Sequence, residues 1–275
     1  MTQTAAPIGV FDSGVGGLTV LRALRAALPD ADFVYLGDTA RLPYGTKSAA
    51  TVARYSLQCA AALRARGIGA LVVACNTASA SALDALRAAH PDLPVEGVVE
   101  PGAAAAVAAS RTRRIAVIAT EGTIAGGAYQ RAIHAHAADA RVVARACPLF
   151  VALAEEGWTD GAIAEAIARR YVEDLFDGPQ PPDTLVLGCT HFPVLAGAIA
   201  AVLPPAVRIV DSAATTAAAV AARIGAHRGA PGAAPVSGGG TVRWLATDGA
   251  ARFAHIGSRF LGARIAADEV EIVDL

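Results

Sequence analysis

Short apolar runs recur along the chain, each closed by a small polar residue, and most lead into a stretch with helical spacing. The runs predict strands at residues 8–11, 33–36, 70–74, 95–99, 114–119, 142–146, 184–187, 207–210, 241–246 and 270–273. Apolar positions three and four apart predict helices at 18–28, 48–66, 78–89, 124–137, 159–176, 212 to about 227, and 250–261, with an Ala-rich helix after Glu100-Pro101-Gly102. Turns are expected at 12–17, 41–45, 120–123 and 177–182, and an exposed loop at 229–241, which is dominated by Gly, Ala, Pro and Ser. Strands alternating with helices predict a parallel α/β fold.

The pattern repeats. Ile8-Gly9-Val10-Phe11-Asp12-Ser13 aligns with Ile115-Ala116-Val117-Ile118-Ala119-Thr120, an offset of 120 − 13 = 107. Leu71-Val72-Val73-Ala74-Cys75-Asn76-Thr77 aligns with Leu185-Val186-Leu187-Gly188-Cys189-Thr190-His191, an offset of 189 − 75 = 114. The expected fold is therefore two pseudo-symmetric parallel-sheet α/β domains, with the site in the cleft between them. Each copy reads as a buried strand that presents a thiol at its carboxyl end and turns into a helix. Open α/β sheets bind ligands at that end of their strands.

Composition narrows the chemistry. The 275 residues carry a net charge of −1 and no basic block, which argues against nucleic acid or an anionic membrane as the main partner. No run is long enough to span a bilayer, and residues 1–7 lack signal-peptide features. Four cysteines without a C-x-x-C pair argue against a disulfide framework or structural zinc and fit a reducing cytoplasm. Cys59 and Cys147 read as small buried hydrophobes. Cys75 and Cys189 differ, because a helix amino terminus beside each is expected to lower its pKa.

Two thiols in mirrored half-sites suit a reaction with opposed proton transfers, such as inversion of a stereocentre. One face needs a base and the other an acid. Asp12 can orient a partner or accept a substrate ammonium, an N-cap being its structural alternative. His191 can tune Cys189 or move a proton. Asn76, Thr77 and Thr190 can bond a carboxylate. Alanine at 119 matches Asp12, so the second half needs another acid, with Glu155, His191 and Glu121 as candidates. Two other readings stay open: a thiol hydrolase using Cys189 and His191, and a non-catalytic amino-acid binder. A dinucleotide loop fails because Thr19 stands where the third glycine of G-x-G-x-x-G belongs, and Lys47 is the sole lysine.

Taken together, Phe11-Asp12-Ser13-Gly14-Val15-Gly16-Gly17-Leu18-Thr19-Val20, Pro43-Tyr44-Gly45, Ala74-Cys75-Asn76-Thr77-Ala78, Val99-Glu100-Pro101-Gly102 and Gly188-Cys189-Thr190-His191-Phe192-Pro193 resemble the glutamate racemases of the aspartate/glutamate racemase family. The resemblance implies cofactor-independent interconversion of L- and D-glutamate for peptidoglycan synthesis in the cytoplasm. It implies Cys75 and Cys189 as the acid/base pair, with Asp12, Glu155 and His191 auxiliary and no metal. It implies substrate contacts from Asp12, Ser13, Tyr44, Gly45, Asn76, Thr77, Thr190 and His191. It also implies that the carboxyl-terminal segment returns to the first domain, giving domains at 1–98 plus 209–275 and at 99–208. Glutamate is the expected small-molecule partner; a homodimer stays open beside a monomer.

Overall fold

The computed structural model describes residues 6–228 and 239–275, so most of the loop expected at 229–241 lies outside the described residues. In chain order the elements are β1 (Ile8–Asp12), α1 (Leu18–Ala27), β2 (Phe33–Gly37), α2 (Ala49–Arg64), β3 (Ala70–Val73), α3 (Asn76–Ala89), β4 (Val95–Gly97) and α4 (Val99–Ala109). Then come β5 (Arg114–Ala119), α5 (Glu121–Ala125), α6 (Ala128–His136), β6 (Arg141–Ala146), α7 (Leu149–Glu156), α8 (Gly161–Val172), β7 (Thr184–Gly188) and α9 (Ala196–Ala200). The chain closes with β8 (Arg208–Asp211), α10 (Ser212–Arg228), β9 (Val242–Ala246), α11 (Ala250–Leu261) and β10 (Val270–Ile272).

The strands form two sheets, ordered β10-β9-β2-β1-β3-β4 and β6-β5-β7-β8, and every pairing is parallel. β1, β2, β3 and β7 are buried along their whole length, as strands covered on both faces must be. The repeat seen in the sequence is a repeat of register. Ile8 pairs with Ala70 as Ile115 pairs with Thr184, and Leu71 pairs with Val95 as Leu185 pairs with Ile209. In each half the winding direction reverses between the first strand and the cysteine strand, β1/β3 and β5/β7. That reversal opens the crevice where such sheets hold ligands.

The C-terminal segment adds β9 and β10 to the β2 edge of the first sheet. β8 pairs with β7 in the second sheet, so the boundary expected at residue 209 falls inside a strand of that sheet.

Several expected boundaries move. α3 begins at Asn76 rather than 78, because Cys75 is its N-cap and its sulfur accepts the Ala78 N–H at 3.5 Å. Glu100-Pro101-Gly102 is the first turn of α4 rather than a break before it. Proline is tolerated there because first-turn N–H groups have no partner within the helix. The turn expected at 120–123 is mostly helix: Thr120 caps α5 by accepting the Thr123 N–H, and Gly126-Gly127 divides the helix expected at 124–137. No α-helix follows Cys189 directly. A 3-10 turn, Phe192–Leu195, stands there, and Pro193 disfavours an α conformation at the residue before it.

At the opposite end of the second sheet, Asp183 collects donors from the turn after α4. It accepts from Ser110 Oγ at 2.6 Å, Arg111 N–H at 2.8 Å and Thr112 N–H at 2.9 Å. Desolvation opposes its charge, but these donors outweigh it and hold the carboxyl at about 2. A depressed carboxylate stabilises the fold above its unfolded value and loses that contribution as pH falls through the folded one. Asp183→Ala should therefore lower the thermal midpoint at pH 7. Calorimetry should show the deficit closing between pH 3.8 and about 2.

Candidate active site

The carboxyl ends of β1, β3, β5 and β7 converge, and both cysteine sulfurs lie there, each residue only 5% exposed. Cys75 donates to Ser13 Oγ at 3.7 Å and accepts from the amino terminus of α3. The expectation of a lowered thiol pKa is overturned at Cys75. Burial pushes it up to about 12, the Asp12 charge adds to the rise, and the Ala78 N–H and Ser13 only partly offset it. A helix terminus is worth about 0.3–1 kcal/mol, while full burial shifts a group by up to several units.

Asp12 is not the N-cap residue of α1, which is Gly17, but the Gly17 N–H is among the main-chain donors to its carboxylate. Its Oδ2 accepts the Gly14 N–H at 2.9 Å, which folds the exit turn of β1 around the carboxylate. Burial raises its pKa, while the charge of His191 and nearby main-chain N–H groups oppose the rise.

Cys189 is served differently. Its sulfur lies 3.9 Å from His191 Nδ1, and His191 Nε2 lies 3.2 Å from Glu155 Oε1 on α7. Burial opposes a charged imidazole, yet the bonds to Cys189 and Glu155 prevail and carry His191 to about 10. The sequence left three candidates for the second half's acid. Glu155 and His191 form this chain, while Glu121 stands exposed in the first turn of α5. The equivalence of the halves therefore holds for strand order and register and fails beyond the strand ends. One thiol has a helix terminus, a serine and an aspartate; the other has an imidazole and a glutamate.

The residues after each cysteine reach across to the other half. Thr77 Oγ1 lies 2.9 Å from Thr120 Oγ1 and 3.1 Å from Thr123 Oγ1. In the opposite direction Thr190 Oγ1 donates to Asp12 Oδ1 at 3.5 Å, and Thr19 Oγ1 donates to the Thr190 carbonyl at 3.0 Å. Asn76 Oδ1 accepts from Tyr129 at 2.7 Å, whereas its Nδ2 is buried without a partner among the described residues. An unpaired buried donor is costly, so its amide is suited to a ligand oxygen.

Tyr44 is buried, and its hydroxyl turns inward to Asp38, with Cys59 at 3.8 Å. The Tyr44 hydroxyl is thus engaged by Asp38, away from the contact expected of it. Gly45 is required by proximity: a Cβ there would lie 2.7 Å from Thr120 Cβ across the seam.

Sequence reading missed Thr19, Thr123, Tyr129, Asp38 and Arg252. Thr19 and Tyr129 carried a faint signal, as polar groups on otherwise apolar helix faces. Cys59 and Cys147 are buried free thiols that burial raises to about 12, consistent with the packing role expected of them. Among the described residues no cluster of His, Cys, Asp and Glu could hold a metal, and no helix is long and apolar enough to cross a membrane.

The model of the Asp/Glu/hydantoin racemase family matches residues 17–220. A glutamate racemase of Geobacter metallireducens is 51% identical over 258 residues, covering 94% of this chain and 93% of the relative. The crystal structure of Francisella tularensis glutamate racemase in complex with D-glutamate is similar at a TM-score of 0.88 and 34% identity, covering 98% of this chain and 97% of the other. Escherichia coli glutamate racemase, in complex with L-glutamate and the activator UDP-MurNAc-ala, is similar at 0.74 and 31% identity, covering 93% and 95%.

Gly16 lies against the second half, and a Cβ there would collide with Thr190 Oγ1 and His191 Nδ1. Gly16→Ala should push the imidazole away from the Cys189 sulfur. An NMR titration should then find the His191 pKa falling from about 10 toward the ordinary 6.5.

Proposed function

The chain belongs to the Asp/Glu/hydantoin racemase family and is an amino-acid racemase; we propose that it interconverts L- and D-glutamate through its two thiols. The observation that carries the mechanism is the pair of buried cysteines at equivalent ends of register-matched strands, each with its own proton-handling neighbours. One sulfur, as thiolate, takes the α-proton as H⁺ and leaves the bonding pair on the α-carbon. The other sulfur, as thiol, delivers a proton to the opposite face. Product leaves with the two protonation states exchanged, and the reverse reaction resets them.

Substrate assists the first step. A thiol at about 12 is a strong base once ionised, and the α-ammonium brings a positive charge that favours the thiolate. Loss of the α-proton moves charge onto the carboxylate. The Asn76 amide and the amino terminus of α3 supply donors there that need no rearrangement. Asp12 and Ser13 serve Cys75, and the Glu155–His191 pair serves Cys189. The main chain of Tyr44 and Gly45, with Thr77, Thr190 and His191, completes the substrate shell. No cofactor enters this chemistry. The product D-glutamate would feed peptidoglycan synthesis in the cytoplasm. Glutamate is preferred to aspartate here on the strength of the relatives named for it.

The Cys189–His191–Glu155 chain also has the order of a thiol acyl-transfer triad, and the test separates the two readings. Cys75→Ser and Cys189→Ser should each lower racemisation of glutamate by about 10²–10⁴-fold, the range of one acid/base group. Both directions are followed by circular dichroism, and α-deuterium uptake from D2O is followed by NMR. Racemisation surviving either substitution, or a thioester trapped in the Cys75 variant, overturns the proposal. Faster turnover of aspartate than of glutamate overturns its substrate.

A further inference from the structure

The chain of groups behind Cys189 does not end at Glu155. α11 belongs to the C-terminal return, which joins the first sheet, yet one of its faces packs on the second half-site. Arg252 Nη2 lies 3.3 Å from Glu155 Oε2, the oxygen not used by His191. Two turns later Arg259 donates to the Glu155 carbonyl at 3.2 Å, and the Phe260 ring meets the His191 ring edge-on at 5.2 Å. Three side chains of one helix thus touch both members of the Glu155–His191 pair. Among the described residues no comparable set of side chains from one helix backs the Ser13–Cys75 contact.

We propose that Arg252 is a positioning residue for the second thiol: it fixes the Glu155 carboxylate against His191 and thereby holds Nδ1 on the Cys189 sulfur. The inference rests on the two-thiol reading above. Arg252 can be changed with less harm to the fold than Glu155 or His191, because its side chain is 67% exposed and theirs are only 16% and 8% exposed. Its exposure also bounds the effect, since a solvent-screened ion pair is worth little.

The charged and titratable groups around the pair give the direction of the pH effect. Glu155 faces His191 and Arg252 with its carboxylate and Arg259 with its carbonyl. Arg259 is bonded in turn to His255 at 2.8 Å, and Asp248 borders the small cavity beside Glu155 and Arg252. His191 faces Cys189, Thr190, Glu155 and the charge of Asp12. Glu155 is held below the usual carboxylate range first by the His191 bond and further by Arg252, against desolvation. Removing the guanidinium raises the Glu155 pKa, so the carboxylate is lost at a higher pH than before.

The test compares wild type, Arg252→Gln, Arg252→Lys, Glu155→Gln and the Glu155→Gln/Arg252→Gln double variant, with kcat and KM measured in both directions from acid to alkaline pH. Arg252→Gln should lower kcat by about two- to five-fold, the range an exposed ion pair supports. KM should stay nearly constant and the acid limb of the profile should move to higher pH. Lysine should restore most of the loss. On the Glu155→Gln background the Arg252 change should add nothing, because its partner charge is gone. A wild-type acid limb and kcat in Arg252→Gln, or an equal loss on the Glu155→Gln background, overturns the inference. Cys189→Ser, assayed alongside, separates the failures. If it keeps its activity, the two-thiol reading falls; if it is inactive while Arg252→Gln matches wild type, only the role of Arg252 falls.

Discussion

Both sulfurs are removed from water, and the rest of the site answers to that fact. Burial disfavours a thiolate strongly enough to carry Cys75 to about 12 despite a helix terminus beneath it. In the proposed reaction, protons at sulfurs so buried are held and passed by protein groups. Ser13 and His191 each contact a sulfur, Glu155 stands one contact behind His191, and the Asp12 charge acts on Cys75. The same burial strengthens each of those contacts, because a low-dielectric surrounding screens charge poorly.

Two sheets with one winding order create the space for this arrangement. β2-β1-β3-β4 and β6-β5-β7-β8 repeat strand for strand and register for register. A repeated backbone supplies two equivalent strand ends, but it does not supply equivalent chemistry. Pro193 replaces a helix start by a 3-10 turn after Cys189, and Ala119 stands where the first half has Asp12. The second half compensates with side chains from α7 and the turn after β7, steadied by α11. Inverting a stereocentre requires opposite faces to be served, not identical groups to serve them.

The seam between the halves is correspondingly tight and polar. Thr77 meets Thr120 and Thr123 from one side, and Thr190 meets Asp12 and Thr19 from the other. Gly16 and Gly45 sit at the points where any side chain would hold the halves apart. Small residues at these places are a matter of approach distance.

Much of this was legible in the chain itself. Apolar runs ended by polar residues marked the strands, and the repeat marked two halves, because burial on both faces of a parallel sheet forces continuous hydrophobic segments. The strand ends placed Cys75, Cys189, Asp12 and Asn76 in one region, since side chains at the carboxyl ends of such strands have few other places to go. The tertiary structure decided what periodicity does not encode. It set Glu155 against His191, turned the Tyr44 hydroxyl inward to Asp38, lifted the Cys75 pKa where a helix end alone would lower it, and brought Arg252 to a glutamate 97 residues away. Each of these depends on the distance between elements remote in sequence and on how much water remains between them. Local pattern carries neither quantity.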